Sequence, residues 1–165
     1  MRIGFSFIIL LLSIVLSSCR EEGVLINENV QINNHTWNNK DSVKFHFEVK
    51  DTLKYYDVFF NLRITDSYPW SNIYIFSELR FPNNKTRKDT FEFYLADKMG
   101  KWQGINSGST VQNTIKLYND KVNFPLSGDY SLTICQGMRD HSLSEIMDVG
   151  LKIQEIINSN STGKK

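Results

Sequence analysis

Residues 43–50 are Val43-Lys44-Phe45-His46-Phe47-Glu48-Val49-Lys50, an unbroken alternation of apolar and polar side chains. Successive side chains of a β-strand point to opposite faces, so this pattern indicates a strand with one face in a core and one in water. A shift of one residue would expose four large apolar groups and bury the charged ones, so the register is strongly specified. The stretch predicts a β-domain with Val43, Phe45, Phe47 and Val49 in its core.

The same period of two recurs along most of the chain. Apolar residues alternate again at Tyr56, Val58, Phe60, Leu62 and Ile64. Further strand candidates are residues 30–37, 72–80, 89–96, 111–118, 129–136 and 147–155. Turn-forming Pro, Gly and Asn residues separate them. This spacing predicts a single all-β domain over residues 30–157, an antiparallel β-sandwich (jelly-roll or immunoglobulin-like) of about eight strands.

One segment also fits a helical period. The apolar positions after Ser142 favour a short helix around residues 142–147, with Ser142 as its N-cap.

The N-terminus has the composition of a secretory signal peptide. Arg2 supplies one positive charge and residues 3–16 are mostly apolar. A helix of that length rises about 21 Å, short of the roughly 30 Å hydrocarbon core, so residues 1–18 are predicted to be cleaved. The segment ends in Leu16-Ser17-Ser18-Cys19, which resembles the bacterial lipobox. We therefore expect Cys19 to bear diacylglycerol and an N-acyl chain such as palmitate, and residues 19–29 to form a lipidated tether. An ordinary signal peptide with a chance cysteine is the alternative.

Charge and cysteine content exclude several classes. Removing residues 1–18 from 165 leaves 147 residues with 18 Lys+Arg, since Arg2 is lost from 19, against 18 Asp+Glu. A neutral chain offers no footprint for nucleic acid and no polybasic membrane patch. With Cys19 lipidated, Cys135 has no intramolecular partner for a disulfide, and its strand position predicts a small core residue rather than a nucleophile. Residues 158–165 are polar and are expected to be disordered.

No catalytic, metal or nucleotide motif is recognisable. The histidines His35, His46 and His141 lack zinc-motif spacing, and there is no nucleophile elbow, Walker loop or dinucleotide fingerprint. We therefore expect no metal, no cofactor beyond the lipid, no nucleotide and no enzymatic activity. Four aromatic residues lie in or beside predicted loops: Tyr68, Trp70, Tyr74 and Trp102. Their rings either pack in the core or stack on a bound sugar or peptide, and the sequence leaves both interpretations open.

Six short segments together carry a resemblance to a known family. They are Asn61-Leu62-Arg63, Tyr68-Pro69-Trp70-Ser71-Asn72, Gly100-Lys101-Trp102-Gln103-Gly104, Phe124-Pro125-Leu126-Ser127-Gly128-Asp129-Tyr130, Gln136-Gly137-Met138-Arg139 and Asp148-Val149-Gly150-Leu151. Together they resemble the gliding-motility lipoprotein GldH family of Bacteroidota over nearly the whole mature domain. The resemblance implies a non-enzymatic component needed for cell gliding and, through that machinery, for type 9 protein secretion. It supplies no known ligand or catalytic residue. Our favoured hypothesis is an interaction subunit whose partners are other gliding-motility or secretion lipoproteins.

Location and interaction residues follow as expectations. No Asp follows Cys19, which favours the outer membrane over inner-membrane retention. Arg139 is the first candidate anchor for a partner, since its guanidinium is a bidentate donor for a carboxylate. The candidate interaction residues are Tyr68, Pro69, Trp70, Ser71, Asn72, Trp102 and Arg139. The alternative function is a lipid-anchored carbohydrate-binding module that uses the loop aromatics.

Cys19→Ala should abolish acylation, because no other cysteine of the mature chain lies in a lipobox. Metabolic labelling with a fatty-acid analogue measures this, with Cys135→Ala as the control that keeps its label. Label retained on the Cys19→Ala protein would contradict the assignment.

Overall fold

The structure is a computed structural model that describes residues 22–157. The expected signal peptide, Cys19 and the tail from residue 158 lie outside the described residues. Within the described range the chain is all-β, with one 3-10 turn at Asn33–His35. Its strands are β1 (Val24–Gln31), β2 (Thr36–Asn38), β3 (Val43–Val49), β4 (Tyr56–Thr65), β5 (Asn72–Arg80), β6 (Thr86–Tyr94), β7 (Ile105–Ser107), β8 (Thr110–Lys116), β9 (Gly128–Gln136), β10 (Ser142–Ser144) and β11 (Ile146–Glu155). Among residues 22–157, no helix has the length and hydropathy needed to cross a membrane.

All strand pairs are antiparallel. A five-stranded sheet has the order β1-β11-β4-β8-β7, a four-stranded sheet has the order β3-β9-β5-β6, and β10 pairs with β2. Residues 50–55 and 66–71 pass the chain between the two larger sheets at opposite ends of β4. We call the end where β1 and β4 begin and β11 ends the basal end. The distal end is the one where β4 and β9 end and β5 begins.

The alternation read from the sequence produces the core. Val43, Phe45, Phe47 and Val49 are all buried, and so are the five alternating apolar residues of β4. The lysine, histidine and glutamate side chains between them in β3 are exposed. Apolar residues of both larger sheets join one cluster, in which the rings of Phe60 and Phe93 lie 5.9 Å apart. The expectation of an antiparallel all-β domain is therefore confirmed.

The number and grouping of the strands differ from the expectation. We expected a single sandwich of about eight strands, whereas residues 22–157 form eleven strands in three sheets. The difference comes mainly from β2, β7 and β10, which have three residues each. Three residues are too few to show a period of two, and such strands are fixed by their pairing partners.

The expected strand over residues 30–37 was wrong. This segment contains the end of β1, the 3-10 turn and the start of β2. Asn34 and His35 have φ of 52° and 51°, in the left-handed region that extended strands exclude. The tether expected over residues 19–29 is also too long, because β1 begins at Val24 and pairs with β11.

The helix expected at residues 142–147 was also wrong. Ser142–Ser144 is strand β10, in which Leu143 lies opposite Trp37, and both side chains are buried. Glu145 then turns the chain into β11 with φ of 68°. Pairing with a segment about a hundred residues away prevails over the local helical pattern.

Phe45→Ala should lower the free energy of unfolding by about 3–5 kcal/mol, because it leaves a cavity at a fully buried site. His46→Ala, on the exposed face of the same strand, should change it by less than about 0.5 kcal/mol. Urea unfolding of both variants measures the difference, and equal effects would contradict the assigned register.

Candidate interaction surface

Two loops meet at the distal end of the four-stranded sheet. Residues 66–71 lead into β5 and residues 137–141 follow β9, and these strands are neighbours with Ile75 opposite Gln136. The expected candidates Trp70 and Arg139 are about seventy positions apart in sequence and lie together for this reason. With Asn72, Tyr74, Gly137, Met138 and Asp140 they line a groove of about 460 Å³.

The buried amide of Gln136 shapes the loop that bears Arg139. Its Nε2 donates to the Asp140 carbonyl at 2.8 Å, and its Oε1 accepts from the Met138 amide at 2.8 Å. The Gly137 amide donates to the Tyr74 carbonyl at 2.7 Å. A Cβ at Gly137 would lie 3.1 Å from the Phe76 ring, so glycine permits the loop to cross β5 this closely.

Trp70 is presented to solvent from the facing loop. Its indole Nε1 donates to the Asp140 carboxylate at 3.0 Å, and 43% of the residue is exposed. The carbonyl of Ser71 accepts from the amides of Leu95 and Ala96 at 2.7 and 3.1 Å, which fixes the loop against the core. Trp70 is therefore held at the rim of the groove, with its indole N–H already satisfied.

Arg139 is exposed and chemically available. Within residues 22–157, its guanidinium has no hydrogen bond or ion pair to another side chain. The nearby carboxylate of Asp140 is instead engaged by Trp70. An exposed guanidinium without a partner is free to bind a carboxylate on another molecule.

A carboxylate with several donors extends the groove across the sheet face. Glu92 lies opposite Tyr74 in the β5–β6 pair, and Asn72 Nδ2 donates to its Oε1 at 2.7 Å. Hydrogen bonds from the Tyr74 hydroxyl, then from Asn72 and Tyr94, hold the pKa of the Glu92 carboxyl below its usual value. The bond to Glu92 likewise raises the pKa of Tyr74. The carboxylate is thus ionised and fixed in direction.

Phe76 and Tyr94 complete the surface. Both are exposed on the same outer face as Tyr74, at 51% and 66%. We call the whole surface the distal patch, consisting of Trp70, Asn72, Tyr74, Phe76, Glu92, Tyr94, Met138, Arg139 and Asp140. It combines four exposed aromatic rings with one free guanidinium and two oriented carboxylates, those of Glu92 and Asp140.

The structure divides the candidates named from the sequence. Trp70, Asn72 and Arg139 lie in the patch, and Pro69 and Ser71 are exposed beside it. Tyr68 is buried: its hydroxyl donates to the Asn72 carbonyl at 3.1 Å, and burial raises its pKa far above the ordinary value. Trp102 is half-buried against it, with ring centroids 6.3 Å apart. Tyr68 is therefore a core residue, and Trp102 is partly covered by it.

Sequence reasoning missed Phe76, Glu92 and Tyr94 as members of the patch. The available signal was that Tyr74 and Phe76 occupy positions of β5 where the alternation calls for polar residues. The free thiol of Cys135 lies under the same face opposite Phe76, half-buried rather than in the core as expected. Burial raises its pKa, which disfavours the nucleophilic thiolate. Among residues 22–157, no three His, Cys, Asp or Glu side chains are grouped to hold a metal ion.

Comparison with known proteins gives a consistent result. The family model for GldH lipoprotein matches residues 24–153. The chain is 32% identical over 165 residues to a gliding motility lipoprotein GldH homolog of Christiangramia forsetii, covering 96% of this chain and 100% of that protein. It is 30% identical over 162 residues to the gliding motility lipoprotein GldH of Flavobacterium johnsoniae, covering 94% and 99%. A solved structure of infectious bursal disease virus, Gx strain, covers 83% of this chain and 30% of its own at 10% identity, and its TM-score of 0.35 supports no argument.

Tyr74→Phe should raise the pKa of Glu92 towards its ordinary value, because the strongest hydrogen bond to the carboxylate is lost. Tyr94→Phe should raise it less, since that bond contributes least. Carboxyl ¹³C titration by NMR measures both shifts. Because the pKa of Glu92 is lowered in the folded protein, its carboxylate stabilises the folded state at pH values above the unfolded-state pKa. This stabilisation disappears as the pH falls through the folded-state pKa. An unchanged Glu92 titration in Tyr74→Phe would contradict the described geometry.

Proposed function

The chain belongs to the GldH lipoprotein family, and from this premise we propose that it is a lipid-anchored outer-membrane component of the gliding-motility machinery. It acts through protein–protein contacts, supports the associated type 9 secretion, and uses the distal patch to bind another motility or secretion lipoprotein. The relatives' names support the motility role. The lipobox at Cys19 and the missing Asp after it support the lipid anchor and the outer membrane.

The observation that carries the binding role is the free guanidinium of Arg139 among exposed aromatic rings. Trp, Tyr and Arg dominate the binding energy of protein interfaces, where they fill desolvated central positions. In the patch, Trp70 is fixed by Asp140 and the Arg139 loop is fixed by Gln136. Both groups are therefore ordered before a partner arrives, which reduces the entropy lost on binding.

The charges of the patch define what the partner must offer. Arg139 requires an acidic group, and the oriented carboxylate of Glu92 requires a hydrogen-bond donor or a cation. The rings of Tyr74, Phe76 and Tyr94 require apolar surface between them. A mixed protein surface meets these requirements together.

One observation favours a carbohydrate-binding module as a second candidate. Tyr74 and Tyr94 lie exposed beside the Glu92 carboxylate and the Asn72 amide, and sugar hydroxyls bind such groups. Of the four loop aromatics that suggested this function, Tyr68 is buried and Trp102 is half-buried against it. Binding of the mature protein to outer-membrane polysaccharide that is lost in Tyr94→Ala would favour this candidate.

Arg139→Ala should leave the melting temperature unchanged, because the side chain is exposed and makes no hydrogen bond or ion pair to another side chain within residues 22–157. It should cost about 2–4 kcal/mol of partner affinity, as expected for a charged hot-spot residue. Thermal melting and crosslinked co-purification from membranes measure the two effects.

The matched control is Arg80→Ala, which removes the same side chain from the basal end of the same sheet. It should co-purify the partner as the unmodified protein does. A lowered melting temperature of Arg139→Ala with undiminished partner binding would show that Arg139 is a structural residue instead.

A further inference from the structure

Large exposed apolar side chains of the described residues occur at both ends of the domain. At the basal end they are Leu53, Tyr55 and Ile157, exposed at 84%, 43% and 66%. Leu53 and Tyr55 lie in the β3–β4 loop and Ile157 follows β11. The Ile156 amide donates to the Tyr55 carbonyl at 2.8 Å, so these segments are adjacent. We call the three residues the basal rim.

The loop is built to present Leu53 outward. The amide of Leu53 donates to Asp51 Oδ1 at 2.9 Å. Asn123 Nδ2 donates to the carbonyls of Thr52 and Lys54 at 2.6 and 3.0 Å, on either side of Leu53. Hydrogen bonds from two directions thus hold an apolar side chain in water, where it gains nothing from the protein itself.

Cations suited to a headgroup layer surround the rim. The Lys121 ammonium lies 4.1 Å from the centroid of the Tyr55 ring, and Lys54 pairs with Glu155 at 2.8 Å. Tyrosine and lysine both place an apolar body in the acyl region and a polar tip in water. Because Glu155 balances the charge of Lys54, apolar insertion rather than anionic lipid provides the main attraction.

The short segment between Cys19 and β1 limits how far the basal end can lie from a bilayer. Val24 is five positions after Cys19, a distance of at most about 18 Å when fully extended. The chain enters at the rim, since the Glu155 amide donates to the Gly23 carbonyl at 2.7 Å and a Cβ at Gly23 would lie 3.7 Å from Ile157. A lipid on Cys19 therefore keeps the basal end beside the membrane surface.

We propose that the basal rim is a phospholipid-docking surface, with Leu53, Tyr55 and Ile157 inserted at the headgroup boundary. This inference rests on the proposed lipid anchor at Cys19. The distal patch then faces away from the bilayer, separated from the rim by the ten residues of β4, or about 30 Å. Docking at a second point fixes the tilt of the domain, which a single lipid attachment point cannot do.

Hydrogen exchange on the unlabelled, lipidated mature protein tests the proposal. The protein is bound to vesicles of phosphatidylethanolamine and phosphatidylglycerol and compared with soluble Cys19→Ala protein. Exchange in residues 51–55 should slow several-fold on vesicles, and exchange in the exposed residues 97–101 should not change. Leu53→Asp combined with Ile157→Asp should remove the slowing. The matched pair Met99→Asp and Ile105→Asp, at similarly exposed positions, should keep it.

Vesicle flotation separates the two levels of the proposal. A protein that floats with the vesicles but exchanges residues 51–55 as fast as the soluble form would overturn the docking surface and leave the anchor intact. Equal slowing at residues 97–101 would also overturn it. A protein that does not float would overturn the lipid anchor and the docking surface together.

Discussion

The antiparallel pairing of β4 with β11 in the middle of the five-stranded sheet is the contact on which the rest of the molecule depends. It places the start of β4 beside the end of β11, and β1 pairs along the other side of β11. The N-terminal chain therefore enters at the basal end. The β3–β4 and β4–β5 connections are short, with six residues each, and they flank the two ends of β4. The two loops therefore lie at opposite ends of the domain. The basal rim and the distal patch are separated by this arrangement.

The period of two in the sequence was sufficient for most of the long strands, but not for β1 or for the three-residue strands. Phe45 and Phe60 were placed correctly because each strand buries one face, which the alternation records directly. Leu143 was misassigned to a helix because its partner Trp37 is distant in sequence. Tyr68 and Trp70 look alike as loop aromatics. Only the folded chain shows that Tyr68 is buried, with its hydroxyl on the Asn72 carbonyl, while the Trp70 ring faces water.

The distal patch was only partly predictable from the sequence. Trp70 and Arg139 were identified from segments that resemble a family, and the β5–β9 register brings them together. Glu92 could not be predicted as a member of the patch, because only the β5–β6 register places it opposite Tyr74. Together these registers make a surface that is ordered, mixed in polarity and at the end opposite the basal rim. Such a surface suits binding to a protein partner, and the proposed anchor would limit that partner to molecules within reach of the membrane.

Site-specific photocrosslinking in living cells tests this two-ended account most directly. A benzoylphenylalanine at Tyr94, in the patch, and one at Leu53, in the rim, sample both ends at exposed positions. The account predicts a protein adduct from position 94 and a phospholipid adduct from position 53. A protein adduct from position 53 with none from position 94 would contradict it.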